Sequence, residues 1–161
     1  MDFQVGDKAV YPGHGVGIIQ DVETVDMEGF TTSMYVLKIL DNGMTIRFPP
    51  GNSNNLGVRQ VMNDLQVKKT YEVLKDRDVP TDNQTWNRRY REYLNKIHTG
   101  DPLEVAKVLR DLALLRTGKN LSFGERKMYD QAHALLVQEI AVAKDTDEET
   151  IKGEIADIFK E

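Results

Sequence analysis

Tyr35-Val36-Leu37-Lys38-Ile39-Leu40-Asp41-Asn42-Gly43-Met44-Thr45-Ile46-Arg47-Phe48-Pro49-Pro50-Gly51-Asn52-Ser53-Asn54-Asn55 contains both the case for β structure and the place where it ends. The β-branched-rich run 34–40 meets a turn signal at Asp41-Asn42-Gly43, and the chain returns through 44–48, which reads as a hairpin. The tract 49–55 then concentrates Pro, Gly, Asn and Ser, and beyond it apolar residues recur at helical rather than alternating spacing. We therefore expect a β domain over residues 1–56 and a helical domain over 57–161.

Toward the amino terminus, Lys8-Ala9-Val10-Tyr11 stops at Pro12-Gly13, and Val16-Gly17-Ile18-Ile19-Gln20-Asp21-Val22 follows. Several short strands with tight turns in fifty residues suggest a small curled sheet or barrel. A module of that size buries little core by itself. The glycines of Gly13-His14-Gly15-Val16-Gly17 are read as turn and bulge residues, because neither the Lys-Ser/Thr of a phosphate-binding loop nor a helical pattern follows them.

Toward the carboxyl terminus, three helix starts carry capping-box spacing: Asp101-Pro102-Leu103-Glu104, Ser122-Phe123-Gly124-Glu125 and Thr146-Asp147-Glu148-Glu149. Pro102 suits the first helical position. Apolar stripes follow at Val105, Val108, Leu109 and Leu112, at Met128, Ala132, Leu135, Leu136 and Ile140, and at Ile151, Ile155, Ile158 and Phe159. Further helices are predicted around 62–74 and 86–98, the latter ended by Thr99-Gly100. The fold class is α+β, with about five helices in the second half.

A composition of 40% apolar and 29% charged residues over 161 positions is that of a globular protein. The start of the chain has no basic, apolar leader, and no stretch approaches about 18 apolar residues, so a cytoplasmic protein without membrane contact is expected. There is no cysteine, which excludes disulfides and thiolate metal sites. His14, His98 and His133 are too dispersed to suggest zinc, and no cofactor is expected. No nucleophile-base pair or paired-carboxylate signature marks an enzyme.

The net charge of −5 argues against tight free-standing DNA binding, which depends on neutralising phosphates. The distribution is uneven, however: residues 86–127 carry +5 and residues 128–161 carry −6. The basic segment opens with Trp86-Asn87-Arg88-Arg89-Tyr90-Arg91, where the chain's single tryptophan stands beside three arginines. A flat apolar ring can enter between base steps while guanidiniums neutralise phosphates on either side. On a helix starting near Thr85, Trp86, Tyr90, Tyr93, Leu94 and Ile97 share one face, which equally well describes a core stripe. Trp86 lies on the first turn, where a side chain leans past the helix end and backbone N–H groups are open to an anion. The residues alone leave core and wedge as competing readings. They also leave a general RNA- or ribosome-binding module as an alternative to a promoter-directed protein.

The order of parts resembles one family. Val5-Gly6-Asp7-Lys8-Ala9-Val10-Tyr11-Pro12-Gly13-His14-Gly15-Val16-Gly17, Tyr35-Val36-Leu37-Lys38-Ile39, Thr45-Ile46-Arg47-Phe48-Pro49, Trp86-Asn87-Arg88-Arg89-Tyr90-Arg91-Glu92-Tyr93, Val108-Leu109-Arg110-Asp111-Leu112 and Leu121-Ser122-Phe123-Gly124-Glu125-Arg126-Lys127-Met128 look like the CarD/CdnL family of bacterial RNA polymerase-binding transcription regulators, in its stand-alone CdnL form. The resemblance implies a Tudor-like (SH3-like) β-barrel that docks on the polymerase β subunit, followed by a compact helical domain that reaches promoter DNA at the upstream edge of the transcription bubble. It assigns minor-groove wedging to Trp86, DNA-backbone contact to Arg88, Arg89 and Arg91, and polymerase contact to Leu37, Arg47 and Pro49. Val25 stands where some relatives have an arginine used at the polymerase interface. A monomer, associated with the nucleoid through polymerase, is the expected state.

Overall fold

The computed structural model describes residues 3–49, 57–77, 85–118 and 120–160. The chain forms two compact units, Met1–Val61 and Met62–Glu161. The expected break near residue 56 and the tract 50–55 lie outside the described residues. Past them, Arg59–Gln60 still pairs with an N-terminal strand, which carries the first unit as far as Val61.

In that unit β1 (Lys8–Tyr11), β2 (Gly15–Met27), β3 (Phe30–Ile39), β4 (Thr45–Phe48) and β5 (Arg59–Gln60) form an antiparallel sheet in the order β4-β3-β2-β1-β5. The turn read at Asp41-Asn42-Gly43 is present. Gly43 has φ 73°, and Met44 N donates to Asn42 Oδ1 at 2.8 Å. A second hairpin was not foreseen. Glu28 and Gly29 both take positive φ, 42° and 89°, so Met27 pairs with Phe30 and β2 and β3 run on as a two-stranded arm.

Tyr11 on β1 and Phe48 on β4 have ring centroids 6.4 Å apart although two strands separate them, a span of about 14 Å in a flat sheet. The sheet is therefore curled into the Tudor-like form expected. Two local features allow the bend. The register shifts between Ile19 and Asp21. Gly17 admits Leu37, since a Cβ there would lie 2.8 Å from the Leu37 side chain and from the Lys38 carbonyl oxygen. Phe3, Ala9, Ile19, Tyr35, Leu37, Ile39, Phe48 and Val58 fill the interior.

The second unit comprises α1 (Asp64–Lys75), α2 (Trp86–His98), α3 (Pro102–Gly118), α4 (Phe123–Ala143) and α5 (Glu148–Ile158). The predicted stripes are its core: Val105, Val108, Leu109 and Leu112 of α3, Met128, Ala132, Leu136 and Ile140 of α4, and Ile151 and Ile155 of α5 are buried. Ser122 and Glu125 close the capping box expected at α4, and Asn63 with Gln66 closes one at α1 that the reading missed. At α3, Asp101 accepts from Leu103 N, while Glu104 turns to Lys107 at 2.9 Å. α5 begins one residue later than expected, with Asp147 as its cap. The reason is that Thr146 is already used to end α4: its N–H reaches Ala141 O and that of Asp145, at φ 53°, reaches Val142 O, a Schellman closure.

Candidate functional site

Trp86 opens α2 and is half-buried at the rim of the helical core. Its ring packs against Tyr90 and Tyr93, with centroids at 5.6 and 6.4 Å, and the Arg89 guanidinium lies over it at 5.3 Å. On the far side α4 approaches so closely that a Cβ on Gly124 would sit 3.2 Å from the indole Nε1 and Cζ2. Tyr93 and Ile97 are buried as the stripe predicts, but Tyr90 is 41% exposed. The stripe leaves the core at its first turns, so the aromatic surface of Trp86 and Tyr90 continues outward from the buried part of α2.

The three arginines divide. Arg88 and Arg91 are exposed. Arg89, assigned DNA-backbone contact by the resemblance, is turned inward: only 12% of its side chain is accessible, and Nη2 pairs with the buried Glu125 at 3.3 Å. Its Nε is buried without a hydrogen-bond partner.

The start of α2 runs against the rules for helix ends. Thr85 makes no side-chain cap, and the first turn contains no acid. The first turns of α1, α3, α4 and α5 each contain a carboxylate, which favours the positive end of the helix dipole. α2 instead gathers cations where N–H groups already point outward, an arrangement that costs stability and attracts an anion.

Reading the sequence missed a contribution from α4. Phe123, its first residue, is 85% exposed, and Arg126 and Lys127 on the next turn are exposed as well. They flank Gly124, which touches the indole, so two helix starts present aromatic rings and cations together. The signal was available in Ser122-Phe123-Gly124-Glu125-Arg126-Lys127, where an apolar residue just past a cap has no stripe to join.

In the β unit, Arg47 and Thr45 of β4 face outward while Phe48 is buried, as alternation requires. Arg47 Nε pairs with Glu23 at 3.1 Å and about half of its side chain stays open to solvent. Pro49 follows the strand directly. Among the described residues β4 pairs only with β3, so its outer edge is open. Leu37, assigned to the polymerase contact by the resemblance, is fully buried in this chain, packed over Gly17, and its side chain supports the sheet from within.

Residues 3–62 match the family described as CarD-like/TRCF RID domain, and residues 69–156 match CarD, C-terminal domain. The chain is 34% identical over 155 residues to the candidate transcription factor YdeB of Bacillus subtilis (strain 168), an alignment covering 94% of this chain and 98% of that protein. The chain belongs to the CarD/CdnL family. Solved relatives of this CarD/CdnL protein include CdnLNt from Myxococcus xanthus, 42% identical over 40% of this chain and 90% of that one with a TM-score of 0.34. The N-terminal domain of Myxococcus xanthus CarD is 25% identical over 37% of this chain and 79% of that one, with a TM-score of 0.32. The two domain matches correspond to the β and helical units in turn, and Trp86 lies in the second. The family is one of transcription regulators, and its RID domain is an RNA polymerase-interacting domain.

The clearest titration anomalies in this CarD/CdnL chain involve groups other than those named for the site. Burial, then the hydrogen bond to Glu154, pushes the Tyr71 hydroxyl well above the usual phenol range. Glu154 is held below the usual carboxylate range by that bond and by Lys144. Burial and the charge of Lys152 lower His133, whose ring stacks on Tyr129 at 5.9 Å. The Tyr71–Glu154 and Lys144–Glu154 bonds join α1, the end of α4 and α5, so their role is in the helical packing.

Proposed function

We propose that this protein docks on the β subunit of RNA polymerase through its β unit and stabilises the promoter open complex through the end of α2. Trp86 wedges into the minor groove at the upstream edge of the bubble while Arg88 and Arg91 hold the flanking phosphates, and Arg89 takes part through the indole it covers. The observation that carries this reading is the construction of α2: an uncapped, acid-free helix start that presents a half-buried indole among exposed cations.

The open edge of β4 supports the docking half. Among the described residues its outer edge has no strand partner, and such an edge can accept an extended segment of a partner; Arg47 stands on that strand. Pro49, which has no N–H, ends the stretch that could pair. Tethering resolves the conflict with an acidic net charge of −5, because it raises the effective concentration of the helical unit at DNA to roughly millimolar. Stabilisation requires only that the bound protein prefer open over closed promoter, and about 1.4 kcal/mol of preference is a tenfold change in their ratio.

The test is a pull-down against purified polymerase subunits followed by open-complex lifetimes with and without the full chain. The β subunit should be retained and the lifetime extended, and Arg47→Glu should abolish retention. Equal binding to RNA and to promoter duplex without polymerase, with no retention of β, would favour a general RNA-binding module instead.

A further inference from the structure

We infer that Gly124, Glu125 and Arg89 form a seat that fixes the orientation of the Trp86 indole, and that Arg89 acts on DNA through this seat rather than by gripping a phosphate. The inference rests on the DNA-contacting reading of Trp86 and adds residues to it.

Three contacts define the seat. Gly124 leaves room for the indole edge: any Cβ at 124 would meet Nε1 and Cζ2 at 3.2 Å, with both groups attached to well-formed helices. Arg89 covers a ring face at 5.3 Å, and its inward position is enforced by Glu125, whose Oε2 it reaches at 3.3 Å. Glu125 is itself held by the α4 cap, because its Oε1 accepts from Ser122 N at 2.9 Å as half of the capping box. The cap of one helix therefore holds the arginine that positions the tryptophan of the next. A guanidinium engaged in this way, mostly buried and with its Nε enclosed, is not presented to a phosphate as Arg88 and Arg91 are.

Because the chain has a single tryptophan, its fluorescence reports the seat directly. Gly124→Ala should shift the emission maximum and quenching of the full-length protein and shorten the open-complex lifetime it confers. Glu125→Gln retains a capping-box residue but removes the charge facing Arg89. It should lower the melting temperature by less than Glu125→Ala and keep the helical fold by circular dichroism, while making the indole more accessible to iodide or acrylamide. A phosphate contact has a separate signature, since losing one lowers the slope of log affinity against log salt by about 1. Measured with polymerase on promoter DNA, Arg88→Gln and Arg91→Gln should each reduce that slope, whereas Arg89→Gln should weaken the effect at unchanged slope and alter indole emission. Unchanged emission in Gly124→Ala and Arg89→Gln, or a fall in salt slope for Arg89→Gln equal to that for Arg88→Gln, would overturn the inference. If emission shifts as expected but no variant, Trp86→Ala included, alters promoter lifetime, the seat stands and the DNA-contacting reading fails.

Discussion

The amino termini of α2 and α4 touch one another and are built on opposite principles. α4 starts with a complete capping box and a buried carboxylate in its first turn, whereas α2 starts with a threonine that caps nothing and with two arginines. The contrast is between a helix end built for folding and one that lacks both of those stabilising features. A helix start with neither a side-chain cap nor a first-turn acid, beside one with both, supports the proposed anion contact at α2. The two are also interdependent, because Glu125 serves the cap of α4 and the arginine of α2 together.

That comparison can be broken most severely at Glu125. Glu125→Ala removes half of the capping box and leaves Arg89 as an unpaired, mostly buried cation, so chemical denaturation should show a loss of about 3–5 kcal/mol. Ser122→Ala removes only the cap and should cost about 1 kcal/mol. The sharpest contrast comes from repairing α2. Thr85→Asp supplies the missing cap and should raise stability by about 0.5–1 kcal/mol, yet shorten the open-complex lifetime, since the new carboxylate occupies the first-turn N–H groups and repels phosphate. If the variant gained stability with no loss of promoter effect, the uncapped start would have no functional meaning.

The smallest expected effect lies away from both ends. His133 has its pKa lowered by burial, so the unfolded chain takes up the proton first as pH falls. Its contribution to stability is complete above about 6.5 and is lost as pH drops from there toward the lower folded value. Denaturation midpoints measured across that window should decline in the native chain and be flatter in His133→Gln.

Much of this architecture is legible in the residues. The Asp41-Asn42-Gly43 turn, the Ser122-to-Glu125 box and the stripes of α3, α4 and α5 are local signals, and local physics suffices for them. What escaped notice depended on distant partners. β5 is two residues long and exists because β1 offers an edge. The complete burial of Leu37 depends on the sheet curling over it at Gly17, which no periodicity reveals. At the candidate site, the Trp86 stripe correctly predicts that Tyr93 and Ile97 are buried and fails for Tyr90, because the spacing of a face does not say how far along the helix its cover extends. The inward turn of Arg89 and the exposure of Phe123 both follow from the approach of α4, a tertiary fact absent from the local pattern.

The central claim is that the indole at the start of α2 holds open promoter DNA while a separate β unit holds polymerase. The measurement that tests it most directly is the open-complex lifetime conferred by full-length Trp86→Ala, at concentrations where pull-down shows polymerase fully occupied. The account predicts a lifetime reduced to that of polymerase alone, with β-subunit retention intact and a folded helical unit by circular dichroism. A folded, polymerase-bound Trp86→Ala protein that extends the lifetime as the native chain does would contradict it.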